Sequence, residues 1–463
     1  MWGIELKRNS DITLSRQIYL NLRTKILEGY LKPGESLPST RELSRILGIS
    51  RNTACEAYDM LLAEAFTESR QGSPTRVAEG LQLEPTTPAL PKLNRVEPPQ
   101  AAFRADFRTG QPDLRRFPQH QWLQLLHQSA PEIPLSQWGY SGPQGLLQLR
   151  EEIAAWLLRS RGIKVHPQDI YITAGATQAL HLLADLLCND GQEILVEDPG
   201  HTGMIHALQG KGIPIRPVPV DKHGLQTEHL NGQGAAAIYV TPSHQFPLGG
   251  ILPALRRTAL VRQVREYEQY IIEDDYDSEF RYSGGPIAPL YSMDPERVIY
   301  VGTFSKTLFP ALRIGYVILP HQLQAQWRYL RTHADVQNPL FEQAALAQYL
   351  QSRKFDRHVQ QMRKLYGQRR KILLETLAEV WGSKWIPWGD AAGLHLAVEF
   401  PGMSFDMEFV RQAKEAGILV TPAEYHSLNK GLHQDKLLLG YGHLEAEEIR
   451  QGIRLLYDFI HSN

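Results

Sequence analysis

Short, largely apolar runs recur through the last three-quarters of this chain and limit the folds open to it more than any other feature. They lie at residues 170–173, 193–196, 236–240, 270–273 and 298–301, with amphipathic helical patterns between them. A strand buried on both faces is apolar without interruption, whereas a strand with one solvated face alternates apolar and polar residues. The pattern therefore predicts an α/β domain with a mostly parallel sheet covered by helices on both sides.

The chain of 463 residues is too long for one hydrophobic core, and its composition changes twice along its length. Residues 1–78 carry short helical patterns, and residues 104–463 carry the strand runs. Residues 79–103 lack periodic apolar residues and contain Pro85, Pro88, Pro91, Pro98 and Pro99. We therefore expect a small N-terminal domain, an extended linker and a large C-terminal domain.

Charge and cysteine content exclude several classes of function. The formal net charge is -1, and the first 80 residues hold 11 Lys and Arg against 10 Asp and Glu, so nucleic-acid contacts would depend on local charge placement. Cys55 and Cys188 fit a reducing compartment and have no metal-ligand spacing. No apolar run approaches the roughly 18 residues of a membrane span, and the N-terminus lacks a signal-peptide core. A cytoplasmic protein without a membrane segment or metal site is expected.

Apolar residues at helical spacing predict three short helices in the N-terminal segment. The first runs over residues 14–28 and ends at Gly29. The second opens at Ser39 with a capping-box pattern, and the third begins near Ser50. The residues expected on the buried faces of the second and third helices are Leu43, Ile46, Leu47, Ala54, Ala57, Tyr58, Leu61 and Leu62.

The second and third helices, joined by a turn at Gly48, have the pattern of a helix-turn-helix. Ser50, Arg51, Asn52 and Thr53 open the third helix with short hydrogen-bonding side chains and one cation, which suits contacts with phosphates and base edges. Residues 66–77 could form a wing. The same geometry also serves as a helical cap or a dimerisation arm, and spacing alone does not separate these alternatives.

The winged helix of the GntR regulators resembles two stretches here, Pro33-Gly34-Glu35-Ser36-Leu37-Pro38-Ser39-Thr40-Arg41-Glu42-Leu43 and Leu47-Gly48-Ile49-Ser50-Arg51-Asn52-Thr53. The resemblance covers most of the N-terminal segment. It implies that Arg41, Arg51 and Thr53 contact double-stranded DNA, together with Gly72 at the tip of the wing.

Lys306 lies just beyond the run at 298–301, after the small hydroxyl residues Thr303 and Ser305, and Arg313 follows seven positions later. The spacing places an amine and a guanidinium around one cavity at a strand end. A phosphorylated aldehyde cofactor needs an amine for a Schiff base and fixed donors for its phosphate. A single lysine is most often a solvated surface charge, so the interpretation depends on its neighbours.

Three other strand ends carry residues that such a cofactor could use. Asp274 and Tyr276 follow the run at 270–273, where a carboxylate could pair with a pyridine nitrogen and a hydroxyl with a ring oxygen. Ala176 and Thr177 open a helix after the run at 170–173, and helix N-termini bind phosphate. His201 could stack on a flat ring. Solvated acids, an ordinary strand-to-helix turn and a surface histidine are the alternatives.

Residues 105–460 resemble fold type I pyridoxal-phosphate enzymes of the aspartate aminotransferase kind. The stretches that carry the resemblance are 106–113, 140–145, 241–249, 273–280 and 301–313. It implies that pyridoxal 5'-phosphate forms a Schiff base with Lys306, while Asp274 holds the pyridine nitrogen and Tyr276 the ring oxygen. It also implies that His201 stacks on the ring and that Ala176, Thr177, Thr303, Ser305 and Arg313 surround the phosphate. A GntR winged helix fused to such a domain is typical of the MocR subgroup of regulators, which the whole chain resembles.

Three positions depart from the enzymes and regulators that bind amino acids. Leu438 stands where aminotransferases have the arginine that holds the substrate carboxylate, with Lys436 the nearest cation. Phe246 replaces an asparagine that contacts the ring oxygen, and Gly203 falls near a further arginine of an amino-acid-binding regulator. A lost bidentate contact weakens carboxylate binding by about 1.5–3 kcal/mol.

These features predict a homodimeric transcription regulator that binds an operator with two half-sites. Its expected small-molecule effector is pyridoxal phosphate itself or an amine without a carboxylate, with enzymatic turnover absent or vestigial. The alternatives are a working aminotransferase, a regulator that senses an amino acid through an external aldimine, and a regulator that has lost the cofactor.

Overall fold

The computed structural model of the chain describes residues 3–70, 73–81, 103–188, 191–389 and 392–462. The chain divides into two compact units, with the boundary after residue 100, and each unit is described by itself. Most of the predicted linker, residues 82–102, lies outside the described residues.

The N-terminal unit contains three helices and a two-stranded hairpin: α1 (Leu14–Leu27), α2 (Thr40–Leu47), α3 (Arg51–Ala63), β1 (Thr67–Glu68) and β2 (Arg76–Val77). Ser39 caps α2 by accepting a hydrogen bond from the backbone N–H of Glu42, as its sequence pattern predicts. Gly48 makes the turn between α2 and α3. The two strands pair antiparallel, with Thr67 opposite Val77, so the wing predicted over 66–77 is present in its described part.

The core of this unit is formed where α1 packs against α3, and it includes Leu22, Leu43 and Leu61. The prediction that Ile46 and Leu62 lie in the core is wrong. Ile46 is 41% exposed and Leu62 is 45% exposed, because each lies at the edge of its helix's apolar stripe, where that stripe meets solvent.

The large unit is built on a sheet of eight strands, as far as the described residues show, in the order β4-β11-β10-β9-β8-β5-β6-β7. The strands are β4 (Ile170–Thr173), β5 (Glu193–Asp198), β6 (Ile215–Asp221), β7 (Gly224–Leu225), β8 (Ala235–Val240), β9 (Tyr270–Asp275), β10 (Val298–Thr303) and β11 (Gly315–Ile318). Neighbours from β10 to β6 pair in parallel, and β11 runs antiparallel to β10 and to β4. The prediction of a mostly parallel sheet is confirmed.

Helices cover both faces of this sheet, which explains the continuous apolar runs. Successive residues of one strand enter different cores: Ile271 packs in one cluster and Ile272 in another, and both are fully buried. Complete burial of such a side chain stabilises the fold by about 1.5–3 kcal/mol. The helices are α4 (Gln119–Ser129), α5 (Leu147–Arg161), α6 (Ala176–Leu187), α7 (Thr202–Gln209), α8 (Ala254–Glu266), α9 (Gln324–Ala334), α10 (Leu340–Gln351), α11 (Lys354–Trp381), α12 (Met407–Glu415) and α13 (Ala446–Ser462).

Two smaller sheets complete the unit. One has the order β12-β13-β16-β15, and the other pairs β3 with β14. Their strands are β3 (Ala105–Asp106), β12 (Ile386–Trp388), β13 (His395–Glu399), β14 (Ile418–Leu419), β15 (Thr421–Pro422) and β16 (Lys436–Gly440). Within the described part of the chain, no helix has the length and apolar character needed to cross a bilayer.

The large sheet positions the candidate site. Since β4, β5, β8, β9 and β10 run in the same direction, their carboxyl ends meet at one edge. Ligands bind at that edge in open α/β sheets. Thr173, Asp274, Asp275 and Thr303 lie at those strand ends.

Candidate cofactor site and DNA-binding surface

Lys306 lies three residues beyond β10, and its amine is held by the backbone of a distant loop. Nζ donates a hydrogen bond to the carbonyl oxygen of Gly110 at 2.7 Å. A Cβ at residue 110 would lie 2.7 Å from Nζ, and Gly110 has a φ of +67°, so a side chain there would be strained and would displace the amine. Burial lowers the pKa of Lys306, although Asp277 and Asp274 raise it in part. A lowered pKa enlarges the neutral, nucleophilic fraction of the amine.

Asp274, near the end of β9, is buried, and only one of its two carboxylate oxygens has a hydrogen-bond partner among the described residues. Its Oδ2 accepts a hydrogen bond from the Tyr239 hydroxyl at 2.7 Å, while Oδ1 has no partner among the described residues. Burial raises the pKa of Asp274 to about 7, and Asp275 adds to the rise. A buried carboxylate oxygen without a partner is costly, and a protonated ring nitrogen is a ligand that would satisfy it.

Tyr276 lies in a polar cluster two residues farther along. Its hydroxyl is 3.0 Å from Nδ1 of His244, which is also 2.9 Å from Oδ1 of Asp277. Burial, followed by the charge of Asp277, raises the pKa of Tyr276 well above its ordinary value. The tyrosine therefore stays a neutral hydroxyl that can donate to a ring oxygen.

His201 lies next to the Asp274 cluster and presents a neutral ring. Burial and then the charge of Lys306 lower the pKa of His201 to about 4, and its Nδ1 is buried without a partner in the described part of the chain. Its ring centroid lies 5.6 Å from that of Phe246 and 6.4 Å from that of Tyr239. A Cβ at Gly203 would lie 2.6 Å from Cε1 of His201, so a side chain there would displace the imidazole ring.

The start of α6 forms the opposite end of the site. Gly175 precedes the helix with a φ of +84°, and a Cβ there would lie 2.7 Å from a guanidinium nitrogen of Arg313. That guanidinium donates to the carbonyl oxygen of Ala174 at 2.6 Å. Free backbone N–H groups at Ala176 and Thr177 and the nearby guanidinium together form the kind of cradle that binds phosphate.

Thr303 ends β10, and Ser305 lies in the turn that follows it. The Thr303 hydroxyl donates to Oγ of Ser305 at 3.0 Å and accepts from the backbone N–H of Ser305 at 3.2 Å. Sheet register places Gly315 opposite both Thr303 and Thr173, which brings the ends of β10 and β4 together. The structure therefore gathers the predicted residues around two connected ends of one site.

Sequence reasoning assigned no role to three residues that hold the predicted ones: Gly110, Tyr239 and His244. Gly110 and His244 lie in stretches whose sequence resembles the enzymes. The resemblance identifies these stretches, but it does not reveal the contacts that the two residues make. Tyr239 is a hydroxyl inside the apolar strand β8, and burial of such a group requires a polar partner. That requirement was the signal for its bond to Asp274.

Leu438, predicted to stand in place of the carboxylate-binding arginine, has apolar surroundings, and the nearest cation in sequence is already paired. Leu438 is fully buried in a cluster with Val220, Leu248, Ala397 and Ala423. Lys436, the nearest cation in sequence, is 2.7 Å from Asp435 and 3.4 Å from Glu399, and it lies over the Trp388 ring. Its charge is therefore already paired within the small sheet.

Phe246, the second predicted departure from the enzymes, is surrounded by rings. The centroids of His426 and His395 lie 4.9 and 5.4 Å from its centroid. Burial lowers the pKa of His395 to about 4 and that of His426 to about 3, so neither is a cation near neutral pH.

The candidate DNA surface consists of exposed side chains at the start of α3 and on α2. Arg41, Arg51 and Asn52 are exposed, and Thr53 is partly buried. Ser50 caps α3: its Oγ accepts from the backbone N–H of Thr53 at 3.1 Å and lies 2.8 Å from the Thr53 hydroxyl. Gly72, predicted at the tip of the wing, lies outside the described residues.

Comparison with known families matches both units. Residues 14–77 match the model of bacterial regulatory proteins of the gntR family, and residues 135–454 match that of aminotransferase class I and II. The kynurenine aminotransferase of Pyrococcus horikoshii has a TM-score of 0.72 and 26% identity, covering 78% of this chain and 92% of that one. An archaeal alanine:glyoxylate aminotransferase has a TM-score of 0.73 at 26% identity, covering 79% and 92%.

Curated relatives match over nearly the full length. The probable rhizopine catabolism regulatory protein MocR of Rhizobium meliloti is 33% identical over 97% of this chain and 94% of that protein. The pyridoxine biosynthesis transcriptional regulator PdxR of Corynebacterium glutamicum is 34% identical over 96% of each. Since both units and their order are shared with these regulators, the chain belongs to the MocR subgroup of GntR-type transcription regulators, in which a helix-turn-helix is joined to an aminotransferase-like domain.

Proposed function

We propose that this regulator binds pyridoxal 5'-phosphate at Lys306 and responds to pyridoxal phosphate itself or to an amine that lacks a carboxylate. The observation that carries the proposal is the buried Oδ1 of Asp274, which has no partner among the described residues and lies in the same cluster as the lowered-pKa amine. The aminotransferase class of the large domain supports the same cofactor.

Each end of the site has a part in this proposal. When bound, the cofactor supplies an aldehyde that condenses with an amine and a ring that accepts negative charge. Asp274 would pair with the ring nitrogen, Tyr276 would donate to the ring oxygen, and His201 would cover the ring. Arg313, Thr303, Ser305 and the N–H groups of Ala176 and Thr177 would hold the phosphate.

The choice of effector rests on Leu438. A side chain packed among leucine, alanine and valine offers no donor to a carboxylate, and Lys436 is held by two acids. Without the two hydrogen bonds of an arginine guanidinium, the binding free energy of any α-amino acid is weaker by about 1.5–3 kcal/mol, or roughly 10- to 150-fold in affinity. The name of the Corynebacterium glutamicum relative, a pyridoxine biosynthesis regulator, supports the same choice.

Binding of the effector would change the affinity of the regulator for DNA. GntR-type helix-turn-helix regulators bind DNA, and aminotransferase-like folds are typically dimeric. We infer a cytoplasmic homodimer whose residues 1–78 contact two half-sites through Arg41, Ser50, Arg51, Asn52, Thr53 and Gly72. Residues 79–103 would link each of them to a large domain of residues 104–463. A two-fold dimer requires two half-sites in its operator.

The experiment measures the cofactor and DNA separately. The wild type mixed with pyridoxal phosphate should gain a visible absorbance band, and borohydride reduction should fix the cofactor on the Lys306 peptide. Lys306→Ala should abolish both signals, while Lys430→Ala, which removes an exposed amine, should keep them. In gel shifts with the chain's own upstream promoter, the affinity for DNA should change on addition of cofactor for the wild type and Lys430→Ala, and should not change for Lys306→Ala. Equal shifts in both states would sink the proposed effector.

A working aminotransferase is the competing function, because the amine, Asp274 and the phosphate cradle are all retained. It predicts steady turnover of amino acid with a keto acid. The buried, apolar environment of Leu438 argues against it. Multiple turnovers that are lost in Lys306→Ala would favour the enzyme, and a single half-reaction without turnover would not.

A further inference from the structure

A cavity of about 380 Å³ opens in the large unit beside the end of α5, the start of α11 and the segment after β9. Its walls include five arginines: Arg159, Arg161, Arg281, Arg353 and Arg363. Of the described residues that line it, the carboxyls are Glu279 and Asp356. None of these residues belongs to the Lys306 site. A concave surface with this excess of cations concentrates anions.

The acid beside Arg159 and Arg353 neutralises their charge only in part. Oδ2 of Asp356 lies 3.5 Å from guanidinium nitrogens of both Arg159 and Arg353, so one carboxylate is shared between two cations. Arg161 is 7% exposed and pairs with Asp275 at 2.7 Å, yet its Nε is buried and lacks a hydrogen-bond partner anywhere in the described ranges. Guanidinium groups in this state retain donors for a further anion.

Ser278 and Glu279 also line the cavity and remove little of its positive charge. The Ser278 hydroxyl is buried without a hydrogen-bond partner in the part of the chain that the structure describes. Burial, followed by the charge of Asp275, raises the pKa of Glu279, which weakens the negative charge that it brings to the cavity. The Ser278 hydroxyl can donate a hydrogen bond to an oxyanion.

We propose that this cavity is a second anion site that takes a small phosphate monoester, separate from the phosphate cradle at α6. The planar forks of the arginines match phosphate oxygens, and the volume suits a small molecule. A DNA backbone would instead need a line of cations spaced along a surface, because each phosphate contributes separately to binding. The presence of five arginines around one cavity favours the compact ligand.

The test uses full-length protein that is loaded with pyridoxal phosphate and then freed of excess cofactor by gel filtration, so that the cradle at α6 is filled while the cavity is left open to added phosphate. Inorganic phosphate is titrated by calorimetry at constant ionic strength, with chloride as the reference anion. We expect one saturable phosphate per chain and at least about tenfold weaker binding in the Arg159→Gln/Arg363→Gln variant. Arg450→Gln/Arg454→Gln, which removes two cations from the outer face of α13, should bind phosphate like the wild type.

Folding of each variant is checked by circular dichroism and thermal unfolding. If the double variant does not fold, Ser278→Ala and Arg363→Gln carry the test as single changes, each with an expected loss of several-fold. Absence of saturable phosphate binding in the wild type, or equal losses in both arginine pairs, would overturn the proposal. Intact phosphate binding combined with weaker DNA binding in phosphate-free buffer would also overturn it, since the arginines would then serve nucleic acid.

Discussion

The Lys306 site and the start of α3 are both candidate binding sites, but their polar groups have opposite environments. In the large unit, Asp274 is 3% exposed, is tied to Tyr239 and keeps one carboxylate oxygen unpartnered within the described residues. On the winged helix, Arg41, Arg51 and Asn52 are exposed to water. A site of the first kind shows its ligand's chemistry before the ligand binds, through shifted pKa values and missing hydrogen bonds. A site of the second kind shows only which side chains are available.

The contrast predicts different consequences of mutation. A change in the buried site should alter both folding stability and ligand affinity, since the same groups serve both. A change on the exposed helix should alter binding and leave unfolding unchanged, because water already solvates those side chains in the free protein.

The largest effect is expected at Leu438. Leu438→Arg places a cation in a fully buried apolar cluster, so it should lower the free energy of unfolding by about 3–5 kcal/mol. Urea unfolding followed by circular dichroism measures the loss. Leu255→Arg is the control, because Leu255 is 87% exposed and should change stability by no more than about 0.5 kcal/mol. A stable Leu438→Arg protein that binds α-amino acids would mean that this cluster is open, and the argument about the effector would fail.

The next effect concerns the unpartnered carboxylate. Asp274→Ala removes a charge-assisted hydrogen bond to the ring nitrogen, so affinity for pyridoxal phosphate should fall by about 1.5–3 kcal/mol, or roughly 10- to 150-fold. Titration followed by absorbance measures the change. Asp185→Ala removes a surface carboxylate that pairs with Lys211 and should bind the cofactor normally. Unchanged affinity in Asp274→Ala would show that Oδ1 does not serve the ring.

Much of the large unit could be predicted from sequence because its strands are buried on both faces. Continuous apolar runs at 170–173, 193–196, 236–240, 270–273 and 298–301 all fall within strands. Their common direction then places Asp274 and Lys306 near the same edge. Contacts made by backbone atoms have no such signal: nothing in the residue type of Gly110 indicates that its carbonyl receives the lysine amine.

The errors in the small unit have a different cause. Ile46 and Leu62 have the spacing of core residues, yet a three-helix unit has too little interior to bury every apolar residue of its helices. Exposed polar residues are harder still. The Ser50 hydroxyl caps α3, and the same residue type at a helix start suits a cap and a DNA contact equally well.

The exposed helix supplies the third prediction. Arg51→Ala should weaken operator binding by about 1–3 kcal/mol if the guanidinium reads a guanine, and by less, uniformly across sequences, if it contacts only phosphate. Fluorescence anisotropy with the operator and a scrambled duplex distinguishes the two. Arg16→Ala, an exposed arginine on α1, should bind both duplexes like the wild type. Thermal unfolding should be unchanged in both variants, and a large shift in Arg51→Ala would contradict the contrast drawn between the two sites.

The smallest effect tests the contrast through pH. Burial raises the pKa of Asp274 to about 7, above the ordinary value of about 3.9 expected in the unfolded chain. The folded protein therefore holds this proton more tightly than the unfolded chain does. Burying the ionised carboxylate therefore lowers the free energy of unfolding. This destabilisation is absent below about pH 4, grows by at most about 1.4 kcal/mol per pH unit as pH rises towards 7, and is constant above that.

Asp274→Asn has no such titration, so the cofactor-free variant should gain stability over the wild type, by about 1.3 kcal/mol, between pH 5 and pH 6. Urea unfolding at a series of pH values measures the difference, and Asp185→Asn should follow the wild type throughout. Pyridoxal phosphate should reduce the gap, because a cationic ring nitrogen favours the ionised carboxylate that burial alone disfavours. Parallel curves for Asp274→Asn and the wild type would mean that water or another partner already satisfies Oδ1, and the buried site would then resemble the exposed one.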